Sequence, residues 1–223
     1  LYCLGITYFK GKYIQRDVNK GVKYLTLAAD QNYHDALDFL GFIYYLGKDV
    51  PRDVNKAINY YTLLADQNIV DAQVKLALLY SRGKNNQTDM NKAIHYYTLA
   101  VNQNNSQAQY NLGMIYYKGK YVKVDINKAI QYLTLASNQN HLDAQYTLGL
   151  IYYDEKYVKV DINKAIHYFK LASNQKNPKA QNMLGLIYYE GKYVQQNINK
   201  SIHYYTLSSD SNYSAAQNNL GII

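Results

Sequence analysis

Between Gln107 and Lys118 the apolar residues Ala108, Leu112, Ile115 and Tyr116 recur at the i, i+4, i+7, i+8 spacing of one buried helical face. Gly119 follows and predicts a stop, because glycine accepts the left-handed conformation that ends helices. A linker, Lys120 to Val124, leads to Asp125, which stands where an N-cap belongs. Its carboxylate can accept the orphan amide hydrogens at the positive end of the helix dipole. A second apolar stripe, Ile126, Ala129, Ile130, Leu133 and Ala136, predicts another helix to about Gln139. Asn140, of a type that tolerates the left-handed region, closes it.

The same pattern returns every 36 residues without insertion. Leu-Gly pairs stand at 4, 40, 112, 148, 184 and 220, and Leu76-Ala77 fills the one gap. Parallel columns run through Tyr8 to Tyr188, Lys20 to Lys200 and Ala36 to Ala216. Asp17, Asp53, Asp89 and Asp161 repeat the N-cap, and Asn197 substitutes with the same chemistry; Asn32, Asn68, Asn104 and Asn212 repeat the helix end. A fixed period of this length predicts a solenoid. About six units are expected over 1–223, starting near 1, 34, 70, 106, 142 and 178, as a single array. Small residues at Ala108, Gly113, Ala129 and Ala136 set how closely paired helices approach. A side chain larger than methyl in the Gly113 column should overpack by about 1–3 kcal/mol, with Ala77 showing methyl to be tolerated.

Read along Ala144, Leu148-Gly149, Tyr152, Asp161, Lys164-Ala165, Tyr168 and Ala172, the unit resembles the Sel-one-like repeat family, a branch of the tetratricopeptide-like solenoids. The resemblance covers the whole chain. It implies an all-α fold, a right-handed alpha–alpha superhelix, and a non-catalytic adaptor that assembles other proteins. There are departures. The family's second linker glycine is Tyr13, Asp49, Asn85, Tyr121, Tyr157 or Tyr193; Glu155 stands where other copies have glycine; and the paired alanines drift to Ala136-Ser137 and Ser208-Ser209.

Composition changes this picture little. The formal charge of +8 suggests an anionic partner, but two complete lysine columns, Lys12 to Lys192 and Lys20 to Lys200, hold half of the 24 basic residues. The first column complements the negative end of the preceding helix, whereas the dipole does not explain the second. Ladders spread along an array, with no polar code per repeat, argue against a nucleic-acid partner. One cysteine, Cys3, excludes a disulfide framework and a cysteine-based metal site within the chain. His95, His167 and His203 share a column with Lys23, Asn59 and Gln131, which reads as a solvated helix face; His34 and His141 sit in the turns between units. Gly83-Lys84, Gly119-Lys120 and Gly191-Lys192 lack the Ser or Thr of a phosphate loop. Sequons such as those at Asn86, Asn104 and Asn212 are expected by chance in so asparagine-rich a chain. No catalytic residue, metal or cofactor is expected.

The 28 tyrosines divide into columns. The Tyr44 column and the Tyr24, Tyr60, Tyr96, Tyr132, Tyr168 and Tyr204 column read as core. Tyr110 and Tyr146, with Tyr117, Tyr153 and Tyr189, lie opposite the Ala108/Leu112 face, next to Met114, Leu150 and Leu186. Asn111, Thr147 and Met183 form the most variable column there. Two readings stand: this stripe packs on the adjacent repeat, or it lines a concave groove for a partner helix or peptide. The expected function is a protein–protein interaction scaffold. The alternatives are a regulatory repeat arm of a larger signalling enzyme such as a protein kinase, and a basic RNA-binding array. No apolar run approaches the roughly 20 residues that span a bilayer. A cytoplasmic location is expected, with any signal peptide outside view because the first residue is Leu1. Leu1 and Ile223 fall inside the same Leu-Gly helix without polar caps, so a segment of a longer array is expected, with ends able to associate.

Overall fold

A computed structural model describes residues 1–82, 90–119, 122–156 and 158–223. The expectations for Gly83-Lys84, Asn85, the sequon at 86–88, Asp89, Lys120, Tyr121 and Tyr157 lie outside the described residues. Among those described there are thirteen helices and no strand: α1 (Tyr2–Lys10), α2 (Val18–Ala29), α3 (His34–Leu46), α4 (Val54–Asp66), α5 (Val70–Arg82), α6 (Met90–Asn102), α7 (Ser106–Lys118), α8 (Ile126–Asn138), α9 (Leu142–Tyr153), α10 (Ile162–Asn174), α11 (Pro178–Glu190), α12 (Ile198–Ser209) and α13 (Ser214–Leu220). They form two compact units, Leu1–Ala108 and Gln109–Ile223. Within each, a helix packs chiefly on its chain neighbours, as α3 does on α4 and α9 on α10.

The helix ends follow the local chemistry. Asp17, Asp53, Asp125, Asp161 and Asn197 each accept the backbone N–H three residues on, at 2.8–3.0 Å. Their own amides donate back to the carbonyls of Tyr8, Tyr44, Tyr116, Tyr152 and Tyr188 at 2.9–3.1 Å, closing each linker on the helix before it. Gly11, Gly47, Gly119 and Gly191 hold the left-handed conformation at its start. Tyr13, Asp49 and Tyr193, at the family's second linker glycine, do not take positive φ, so glycine is not required there. In the fifth copy Glu155 replaces the left-handed glycine, and α9 stops one residue earlier, at an extended Asp154. The second helices end on Asn32, Asn68, Asn104, Asn140 and Asn212, all with φ near 60°. Lys176 takes this conformation too, at φ 63°.

Each hairpin closes over the Leu-Gly column. Leu40, Leu76, Leu112, Leu148 and Leu184 are fully buried, beside Leu25, Tyr61, Tyr97, Leu133, Phe169 and Tyr205 from the second helices. Gly41 faces the Tyr61 ring, Gly149 the Phe169 ring and Gly185 the Tyr205 ring. A β-carbon at Gly149 would lie 2.5 Å from Phe169, so methyl is already too large there; Ala77 is not a general guide. The core aromatic is therefore one residue beyond the Tyr24–Tyr204 column. That column is only half-buried, as are most of the Tyr8–Tyr188 rings. In all six copies the two columns stack on each other, with centroids 5.8–6.1 Å apart.

This stack also accounts for the second lysine column. Lys20, Lys56, Lys92, Lys128, Lys164 and Lys200 place Nζ 4.3–5.3 Å from the centroid of the Tyr8–Tyr188 rings. A cation over a ring face is attracted by the ring quadrupole. The lysines that the dipole leaves unexplained thus face the tyrosine twelve residues before them, and Lys56, Lys128 and Lys164 also pair with the capping aspartate three residues before, at 3.3–4.0 Å.

A buried amide ladder joins the helices at their other end. Gln73, Gln109, Gln145 and Gln181 lie on the first helices and are almost wholly buried. Gln103, Gln139 and Gln175, from the second helices, donate to the side-chain oxygens of the first three at 2.7–2.9 Å. Gln103 and Gln175 also reach back to the Asn68 and Asn140 carbonyls of the preceding turns. The ladder stops where Ser211 replaces the glutamine, leaving Gln181 Oε1 buried without a partner.

Candidate interaction groove

The stripe opposite the Ala108/Leu112 face belongs wholly to the C-terminal unit, on α7, α9 and α11. Its N-terminal half is packed. Tyr110 stacks on the His141 ring at 4.6 Å, and burial pushes its hydroxyl pKa upward. His141 caps α9 weakly through Nδ1, 3.4 Å from the Ala144 amide, and burial lowers its pKa. Tyr146 leans on Phe169 with centroids 5.9 Å apart. Thr147 is buried and donates its hydroxyl to the Asp143 carbonyl of its own helix, so it offers nothing to a partner. Met114 packs with Tyr110 on the Leu148/Ile151 cluster of the next hairpin. Asn111, Leu186 and Tyr189 are half-buried and lie outside the groove described next.

The C-terminal half opens. Tyr117, Leu150, Tyr153 and Met183 line an open groove of about 730 Å³, together with Asp154, Glu155, Glu190, Lys192 and Tyr193. The first four also pack on the hairpin cores. The other five come from helix ends and linkers, where no apolar periodicity points to them. Tyr153 donates its hydroxyl to Glu190 Oε2 at 3.3 Å, and Tyr193 donates to Glu155 Oε1 at 3.0 Å. The Tyr153 and Tyr193 rings meet edge to face at 6.2 Å. Burial, then the Glu190 charge, raises the Tyr153 pKa. Lys192 sits 4.6 Å over the Tyr193 ring, and its hydrogen bond with the Tyr193 side chain raises its pKa. The groove is thus aromatic and apolar on its floor, and carries three carboxylates against one lysine.

The histidine column is exposed at His95, His167 and His203, each ring edge-on to the following tyrosine. Among the described residues no group of three or more His, Cys, Asp and Glu could hold a metal ion. Among them, too, no helix is long and apolar enough to cross a membrane.

The sequence profile described as the Sel1 repeat matches residues 1–33, 34–69, 70–105, 106–141, 142–177 and 178–213. No curated protein sequence matches significantly. Among solved structures, the chain is similar to a Sel1 repeat protein from Oxalobacter formigenes, with 29% identity and a TM-score of 0.86 over 99% of this chain and 64% of that one. It is also similar to c5321, a protective antigen of uropathogenic Escherichia coli that displays this repeat fold, with 27% identity and a TM-score of 0.82 over 99% of this chain and 48% of that one. The immunity protein Pa5087 from Pseudomonas aeruginosa, 20% identical with a TM-score of 0.50 over 94% of this chain and 80% of that one, shares the fold alone. The chain thus spans between about half and two thirds of the length of the first two. These repeats are generally protein-interaction scaffolds, typically non-enzymatic. With six matched units over nearly its whole length, the all-α solenoid described above belongs to the Sel1 repeat family.

Proposed function

We propose that the chain is a binding scaffold whose first-helix face in the C-terminal unit receives a peptide or helix of a protein partner. The observation that carries this reading is the groove of about 730 Å³ floored by Tyr117, Leu150, Tyr153 and Met183. Half-exposed aromatic and Met side chains are large, adaptable anchors, and burying them in a partner releases water from apolar surface. No covalent step is involved; affinity comes from contacts repeated along adjacent helices. A photo-crosslinking residue at Tyr153, compared with one at Lys23 on the second-helix face, tests the reading. Crosslinks to a partner protein should form at 153 and not at 23. Equal capture at both positions would remove the groove from the account.

A further inference from the structure

We propose that this groove selects a cationic side chain, arginine above all, carried on an apolar peptide segment; the inference rests on the groove reading above and adds the chemistry of its occupant. The chain carries +8 overall, yet the groove lining inverts that sign, with Asp154, Glu155 and Glu190 against Lys192. A net positive charge on the chain disfavours a basic segment, while a negative groove favours it locally, which is a means of placing it. The carboxylates are also oriented. Tyr153 donates to one oxygen of Glu190 and Tyr193 to one of Glu155.

The rings complete the match. A guanidinium is planar, stacks on aromatic faces and bonds carboxylates through a rigid fork, so it fits a site made of tyrosine and glutamate better than an ammonium does. The N-terminal unit contains the same combination: Arg16 lies 5.9 Å from the Phe9 ring centroid while its guanidinium pairs with Asp49. Leu150 and Met183 then set the requirement for apolar neighbours on the ligand.

Three fluorescent amphipathic peptides, identical except for arginine, citrulline or glutamate at one central position, test this by anisotropy with the 223-residue chain. The arginine peptide should bind about tenfold more tightly than its citrulline twin, with the glutamate twin weakest. The double variant Glu155→Gln/Glu190→Gln should erase that preference. Both glutamates are exposed, so an unaltered melting curve will show that the fold is intact. Equal binding of the three peptides, or a preference that survives the double variant, overturns the cationic assignment. If binding is equal yet lost in Leu150→Asp, the groove reading stands without it. A chain that binds none of the three, or whose binding ignores Leu150→Asp, overturns both.

Discussion

Gln175 Nε2 donates to Gln145 Oε1 at 2.8 Å, thirty residues away, with Gln145 almost wholly buried. Polar groups in an interior are tolerated only when paired, and removing one partner leaves the other desolvated. Gln145→Leu removes this bond and the one Gln145 donates to the buried Ser137 carbonyl, and should therefore destabilise the chain by about 1 kcal/mol in urea unfolding. In the next copy the donor is missing, since Ser211 is too short to reach Gln181. Ser211→Gln should restore it and stabilise by about 1 kcal/mol, raising Tm by roughly 2–4 °C. An unchanged Tm would mean that the buried Gln181 oxygen costs nothing.

Lys176 holds φ 63° where five other copies place asparagine. The left-handed region costs an ordinary L-residue roughly 1–2 kcal/mol and asparagine less. Lys176→Asn should raise the unfolding free energy by a fraction of that, about 0.5–1 kcal/mol; the reverse change, Asn140→Lys, should lower it by a similar amount. Paired thermal melts of the two variants check the symmetry.

Gly149 leaves no room for a β-carbon beside Phe169, whose Cδ1 would be 2.5 Å away. Gly149→Ala should cost about 1–3 kcal/mol by overpacking. A loss below about 0.5 kcal/mol would show that the α9 and α10 helices separate freely at this contact.

Buried tyrosines make the fold sensitive to alkali. Burial pushes the Tyr205 pKa up to about 12 and that of Tyr61 still higher. The folded chain then keeps protons that the unfolded chain has released above its ordinary value of about 10. Their stabilising contribution is full below about pH 10 and is lost as the pH rises toward the folded value. Circular dichroism and tyrosinate absorbance should change together in that window. Tyr205→Phe, which cannot ionise, should shift the transition to higher pH.

What was legible in the sequence was local. Asp125 as an N-cap and Asn140 as a helix end act through neighbouring backbone, so residue type at a fixed spacing reveals them. The core aromatic was displaced by one position because Tyr168 and Phe169 are adjacent, about 100° apart on the helix, and only the position of Gly149 on the facing helix decides between them. Gln145 reads as surface by its chemistry and is buried only through a partner thirty residues away. Lys164 pairs locally with the capping Asp161, 3.3 Å from its Nζ, but its other partner, the Tyr152 ring, lies across the linker and is not legible from spacing. For the groove, Tyr117, Leu150, Tyr153 and Met183 were visible as a stripe. Thr147 shares that stripe but is buried and bonded to its own helix, because column variability does not give side-chain direction along a turn.

Glu155 stood out beforehand only as a missing glycine, and in the structure it both shortens α9 and supplies a carboxylate to the groove. In a chain of near-identical units, five orthodox copies can carry the architecture while one is free to diverge. Irregularity in such a protein is then a form of address: a partner that recognised the shared pattern could dock in any of several registers, whereas one that requires the aberrant unit has a single place to stop.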